Sequence, residues 1–155
     1  MNSLPSELNA AYEGEMTRIK KSGDENYEIA RRALSWIHYA KRPLYMPELR
    51  EAIAIDPIES IEDATEECAD LDPQGFTDPE AIIQCCGSLL LWESSTDVVR
   101  FSHYTVAELF KSDKGIQYME SELYVAATCL SYVCFDAFNE GPCCEWLEFR
   151  NRVQK

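Results

Sequence analysis

The chain has 155 residues, 46% of them hydrophobic, with 3 Trp, 8 Tyr and 6 Phe; that is enough to bury a core within one ordinary domain and too apolar for a disordered tail. Its formal net charge of −14 is unevenly spread, because no Lys or Arg stands between Arg50 and Arg100 while thirteen Asp and Glu do. That imbalance argues against a nucleic-acid partner, whose phosphates are met mainly by Lys and Arg, and no run approaches the roughly 18 apolar residues of a membrane-spanning helix.

The first segment, "MNSLPSELNAAYEGEM", has neither a basic flank nor an apolar core, so it does not read as a signal peptide and a cytoplasmic protein is expected. After Pro5, Leu8, Tyr12, Met16 and Ile19 recur at helical spacing, and the helix should stop before Gly23. A second apolar stripe, Ile29, Ala33, Trp36, Ile37 and Ala40, is closed by Lys41, Arg42 and Pro43. Pro47 then opens a short helix carrying Leu49, Ala52 and Ile53. From Asp56 to Phe76 neither the helical nor the strand period holds, and carboxylates crowd the sequence, which predicts a long solvated loop.

Asp78 reads as an N-cap with Pro79 as the first helical residue, Ile82, Ile83 and Cys86 as the buried face and Gly87 as the stop. "LLLW" and "VVRF", joined by "ESSTD", predict a β-hairpin. A helix with Val106, Leu109 and Phe110 follows at once. Past Gly115 a longer helix is expected to carry Leu123, Ala127, Leu130 and Cys134 down one side, with "NEGP" ending it. The last segment, "CCEWLEFRNRVQK", starts a further helix that the chain leaves unfinished, as a piece of a longer polypeptide would, and its apolar face suggests a missing cover. The fold class is therefore mainly α with a short β-hairpin: a winged-helix, helix-turn-helix-like domain over residues 1–113, then a helical linker over 114–155. The predicted core holds Trp36, Ile37, Leu49, Ile53, Ile83, Leu90 and Phe101.

Seven cysteines stand at 68, 85, 86, 129, 134, 143 and 144. Without a signal peptide, and with Cys129 and Cys134 inside an apolar pattern, they read as reduced and mostly buried thiols. The adjacent pairs lack the gap with which two thiolates chelate zinc, so no metal is expected. The two histidines differ in setting: His38 lies inside a helix beside Trp36 and Ile37, which favours a structural role, whereas His103 stands where the second strand of the hairpin gives way to a helix. There it can cap that helix, or it can present its imidazole to a ligand of a neighbouring domain.

The succession "LPSELNAAYEGEMTRI", "ALSWIHYAKRPLYMPELREAIAI", "DPEAIIQCCGSLLLWE", "VVRFSHYTVAELF" and "TCLSYVCFDAFNEGPC" resembles the winged helix of the GPI inositol-deacylase type, which follows the nucleotide-binding NACHT domain in large fungal signal-transduction ATPases of the STAND class. The likeness spans roughly residues 3 to 144, and its most specific blocks are "RPL...EL", "CGSLL" and "FSHYTVAELF". In that family the NACHT domain binds and hydrolyses the nucleotide, the winged helix packs on it, and C-terminal repeats, ankyrin repeats among them, sense a trigger; release of the packing permits oligomerisation. The resemblance thus implies a noncatalytic regulatory segment with two partners, a NACHT domain and repeats. Related plant and animal immune ATPases carry a histidine just after the second wing strand that touches the ADP phosphate. His103 holds the equivalent place, and the resemblance makes it a candidate ADP-phosphate sensor, although those relatives follow the histidine with an aspartate where this chain has Tyr104.

The residues bear on two other classes. An enzyme is disfavoured: no "GxxxxGK[ST]" occurs, so the chain alone does not cradle ADP or ATP that way, and no catalytic signature surrounds any cysteine. A free-standing protein-protein interaction adaptor with the winged-helix fold is the alternative, and its acidic loop could meet a basic partner.

Overall fold

The computed structural model describes residues 6–57 and 76–135. The first helix, α1 (Ser6–Lys20), turns Met16 and Ile19 into the core and half-buries Tyr12. It ends as its spacing predicts, and Gly23 at φ +114° makes the corner into α2 (Asp24–Tyr39), a backbone conformation open to glycine at little cost.

Helix α2 is the centre of the domain, packing on α1, α3 (Met46–Ala54), α4 (Pro79–Cys86) and α7 (Glu122–Val133). Its fully buried residues are Ala30, Ala33, Leu34 and Ser35, so the inward face is rotated from the predicted stripe. Ile29, Trp36, Ile37 and Ala40 are only half-buried against the cluster. Small side chains at 30 and 33 let neighbouring helices approach α2 closely, whereas the large ones fill the margins. Lys41 and Arg42 lie past the helix end, and Arg42 forms a two-pronged pair with Glu48 at 2.7 and 2.8 Å. Glu48 in turn accepts from the Tyr45 N–H at 3.0 Å and so caps α3.

Beyond the predicted hairpin lies a third strand. β1 (Leu44–Tyr45), β2 (Leu90–Glu93) and β3 (Val98–Phe101) form an antiparallel sheet in the order β1-β3-β2, with Leu44 opposite Val99 and Leu90 opposite Phe101. Two residues carry no period, so β1 exists only because β3 offers it an edge; the Met46 N–H extends the pairing to the Asp97 carbonyl at 2.9 Å. Asp97 closes the wing turn at φ +61° and accepts from the Trp92 indole N–H at 2.8 Å. Helix α2, β1, α3, α4 and then the β2–β3 wing is the element order of a winged helix. At the head of α4 the expected devices are all present: the Asp78 carboxylate accepts from the Glu80 and Ala81 N–H groups, Pro79 follows, and Gly87 at φ +58° stops the helix. A single 3₁₀ turn (Gly87–Leu89) leads into β2.

The core gathers Met16, Leu34, Met46, Leu49, Ile82, Leu89, Val99 and Phe110, with Phe110 stacked on Phe101 at 5.5 Å between ring centres. Of the predicted core, Leu49, Ile53 and Leu90 are buried, whereas Trp36, Ile37, Ile83 and Phe101 form its half-buried margin. Helix α5 (Tyr104–Phe110) buries Val106, Leu109 and Phe110 as its spacing predicts. The short α6 (Asp113–Ile116) follows, and Gly115 sits against the backbone of Leu109.

On α7 the apolar side picked out by the spacing is mostly turned outward. Val125, Thr128 and Ser131 are buried, while Leu123 is 78% and Leu130 66% exposed, and Cys134 is exposed as well. The helix is apolar on both sides, so periodicity alone does not say which side packs on α2. The interior of the carboxylate-rich 56–76 loop, the "NEGP" stop and the final helix lie outside the described residues.

Candidate functional site

Strand β3 ends at Phe101, and Ser102 locks the exit: its N–H donates to the Leu89 carbonyl at 3.0 Å and its hydroxyl to the Ser88 carbonyl at 2.7 Å. The next residue, His103, is extended at φ −146° and ψ 152° and caps α5, its Nδ1 accepting from the Thr105 N–H at 3.3 Å. Nδ1 also lies 2.8 Å from the Thr105 hydroxyl, which is 2.6 Å from the Tyr12 hydroxyl of α1. Thr105, two residues on, and through it Tyr12, 93 residues from Thr105, thereby fix one imidazole. With Nδ1 an acceptor, the neutral ring carries its proton on Nε2, and no hydrogen bond to Nε2 is formed among the described residues. His103 and the adjoining Tyr104, 73% exposed, stand on the surface with ring centres 4.6 Å apart. The histidine predicted from the sequence is therefore a helix cap and an exposed donor at once.

Beside this corner, Glu15 of α1 accepts from the Ser88 N–H at 2.8 Å and its hydroxyl at 3.1 Å, while Arg18 holds the same carboxylate at 2.7 and 3.0 Å. The Arg18 hydrogen bond, reinforced by Ser88, lowers its pKa to about 2 against the opposing effect of burial. The sequence pattern did not single out Glu15. An i, i+3 Glu–Arg pair is too common to suggest that it also ties α1 to the 3₁₀ turn, 73 residues away.

A second concavity of about 370 Å³ opens between α3 and α7, lined chiefly by Trp36, Leu44, Ala52, Ile55, Tyr132 and Val133, with Arg42, Glu48 and Glu51 also on its wall. Burial, with Glu48 nearby, pushes the Glu51 carboxyl above its ordinary pKa. Among the described residues the buried Trp36 indole N–H has no hydrogen-bond partner, a feature sequence periodicity could not reveal.

The remaining candidates separate. His38 is half-buried and edge-on to Tyr39 at 4.7 Å, and burial lowers its pKa, in keeping with a structural place. Cys86 is buried and its thiol pKa is raised by burial. Contrary to expectation Cys129 and Cys134 are exposed, Cys129 at the concavity between α3 and α7. Among the described residues no three His, Cys, Asp or Glu side chains are grouped to hold a metal ion, and no helix is long and apolar enough to cross a membrane. The exposed positions of α4 are Glu80 and Gln84 with Asp78 before them. Arg50 is turned inward, donating to the Thr77 carbonyl at 2.8 Å with its guanidinium over Phe76, whereas Arg18 of α1 lies beside Ala81, Gln84 and Cys85 with its guanidinium paired to Glu15.

Comparison with known families agrees with this architecture: residues 17–126 match the family model described as GPI inositol-deacylase, winged helix domain. No curated protein and no solved structure matches the chain.

Proposed function

The chain belongs to the GPI inositol-deacylase winged-helix family, and from that membership we propose that it is a noncatalytic regulatory segment of a NACHT-type signal-transduction ATPase. In this reading it packs on the nucleotide-binding domain and stabilises the inactive, ADP-bound state. The observation that carries the proposal is the fixed, exposed imidazole of His103. Its Nδ1 is used for capping, so its Nε2–H is a donor on the surface that need not be reoriented to meet a phosphate oxygen. The anchoring through Thr105 and Tyr12 gives the ring one orientation before any partner arrives, and a donor already in position loses less entropy on binding.

Capping and sensing separate experimentally. Asn caps helices well, so His103→Asn keeps the cap while removing the imidazole donor. In a complex of this chain with the nucleotide-binding domain, His103→Asn should release ADP about tenfold faster than wild type, the equivalent of about 1.4 kcal/mol, with little change in thermal stability. ADP release at the wild-type rate removes the sensor role. The isolated chain should bind ADP and ATP no tighter than millimolar in calorimetry.

The alternative, a free-standing protein-protein interaction adaptor, draws support from the apolar outer side of α7. Proteins captured by the isolated chain in the absence of any nucleotide-binding domain would favour it.

A further inference from the structure

The concavity of about 370 Å³ between α3 and α7 has the size of a small-molecule site. Trp36, Leu44, Ala52, Ile55, Tyr132 and Val133 make most of its wall apolar. The Trp36 indole N–H is shut off from solvent, so what Trp36 offers to the space is ring carbon. Two carboxylates and a guanidinium complete the lining, and they are not equivalent. Both prongs of Arg42 are taken by Glu48, at 2.7 and 2.8 Å, which leaves that pair neutral as a unit. Glu51, one turn further along α3, is half-buried, and among the described residues its carboxylate has no ion-pair partner. Burial, with Glu48 beside it, raises its pKa, as befits a carboxylate held without a cation. From α7 the Tyr132 phenol faces the same charge, its pKa pushed up by burial and by Glu51. An uncompensated negative charge thus stands within a mostly apolar space that has aromatic rings on its wall.

We propose that this concavity binds a small organic ammonium ion, its cationic nitrogen against Glu51 and its apolar body against Trp36, Ile55 and Tyr132. Charge complementarity selects this class of ligand over the others. An anion would meet Glu51 and find the guanidinium of the wall already engaged by Glu48. A hard metal ion needs several oxygen ligands, and no three metal-binding side chains are grouped among the described residues. A neutral apolar molecule would fill the space but cover Glu51 without compensating its charge. An ammonium ion supplies the missing charge, and the faces of Trp and Tyr rings attract it as well.

The probe is phenethylammonium, set against neutral phenethyl alcohol and anionic hydrocinnamate, each titrated into the full chain and followed amide by amide in NMR. The ammonium ion should bind with a millimolar or tighter Kd and shift the amides of Ala52, Thr128 and Cys129. The alcohol should bind at least about tenfold more weakly, and hydrocinnamate not at all. Glu51→Gln keeps the shape of the wall and removes its charge, and should bring the ammonium ion down to the affinity of the alcohol. Glu80→Gln removes an equal charge from an exposed position of α4 and should change nothing, which separates the site from the general pull of a −14 chain on cations. Cys129→Phe, at an exposed position of the rim, should block both ligands. Equal affinity for the ammonium ion and the alcohol, unaltered affinity in Glu51→Gln, or no binding of the ammonium ion at millimolar concentration would each overturn the proposal. Tighter binding of N-acetyl-lysinamide than of phenethylammonium would overturn it too, by making the occupant a lysine side chain of a partner protein.

Discussion

The joint between the winged helix and α7 rests on Ser35. Its side chain is fully buried in α2, and its hydroxyl donates to the Arg31 carbonyl at 2.6 Å while accepting from the Glu120 N–H at 2.7 Å, across 85 residues. Ser35→Ala deletes that acceptor. The Arg31 carbonyl keeps its helical partner, so the loss falls on the Glu120 N–H, and stranding a buried donor costs about 1–3 kcal/mol. Two effects trim this figure: Glu120 is half-buried, so water can reach its amide in part, and Ala is the better helix former by up to about 0.7 kcal/mol. The expected net loss is about 1–2 kcal/mol, or about 2–8 °C in Tm at this chain length. Urea unfolding should show a lower midpoint at unchanged slope. Hydrogen exchange should accelerate at the Glu120 amide and leave the core amides of α4 as they were. A stability change within about 0.5 kcal/mol, the range of an indifferent surface substitution, together with unaltered exchange at Glu120, would refute the idea that this bond joins the two parts. The neighbouring Arg31–Glu120 pair at 2.8 Å is left intact, so the change isolates one interaction.

Phe110→Ala removes a fully buried ring stacked on Phe101 and should cost about 3–5 kcal/mol in chemical denaturation. Gly115→Ala would drive a methyl group into the backbone of Leu109, with an expected loss of about 1–3 kcal/mol; a Tm equal to wild type would mean that α5 and α6 are not packed as described. Asp97→Ala keeps the positive φ but loses the bond to the Trp92 indole, and should lower stability by about 1–3 kcal/mol and alter tryptophan fluorescence. The Glu15 carboxyl, lowered from 4.5 to about 2 in the folded chain, favours folding in its ionised form. Its contribution is complete above pH 4.5, declines as pH falls towards 2 and is absent below. Glu15→Gln should therefore flatten the stability profile between those values, by a modest amount because the pair is solvent-screened.

Much of the domain is legible in the sequence alone. The Asp78-Pro79 start and Gly87 stop of α4, the β2–β3 hairpin, the inward face of α5 and the capping place of His103 all follow from chemistry within a few residues of chain. Such devices act locally, so sequence suffices to find them. The position of His103 was equally clear, but its orientation was not, since that depends on Thr105 and Tyr12 from another helix.

By itself, then, the sequence determined the order of helices, the wing, the winged-helix family and the interval from Arg50 to Arg100 that holds carboxylates but no Lys or Arg. Tertiary structure alone decided that two residues, Leu44 and Tyr45, become a strand, that Ala30 and Ala33 rather than Trp36 face the centre, and that α7 turns Thr128 and Ser131 inward and Leu123 and Leu130 outward. A strand edge, a close helix crossing and the choice between two apolar sides each depend on what lies opposite in space. No periodicity along one helix carries that information.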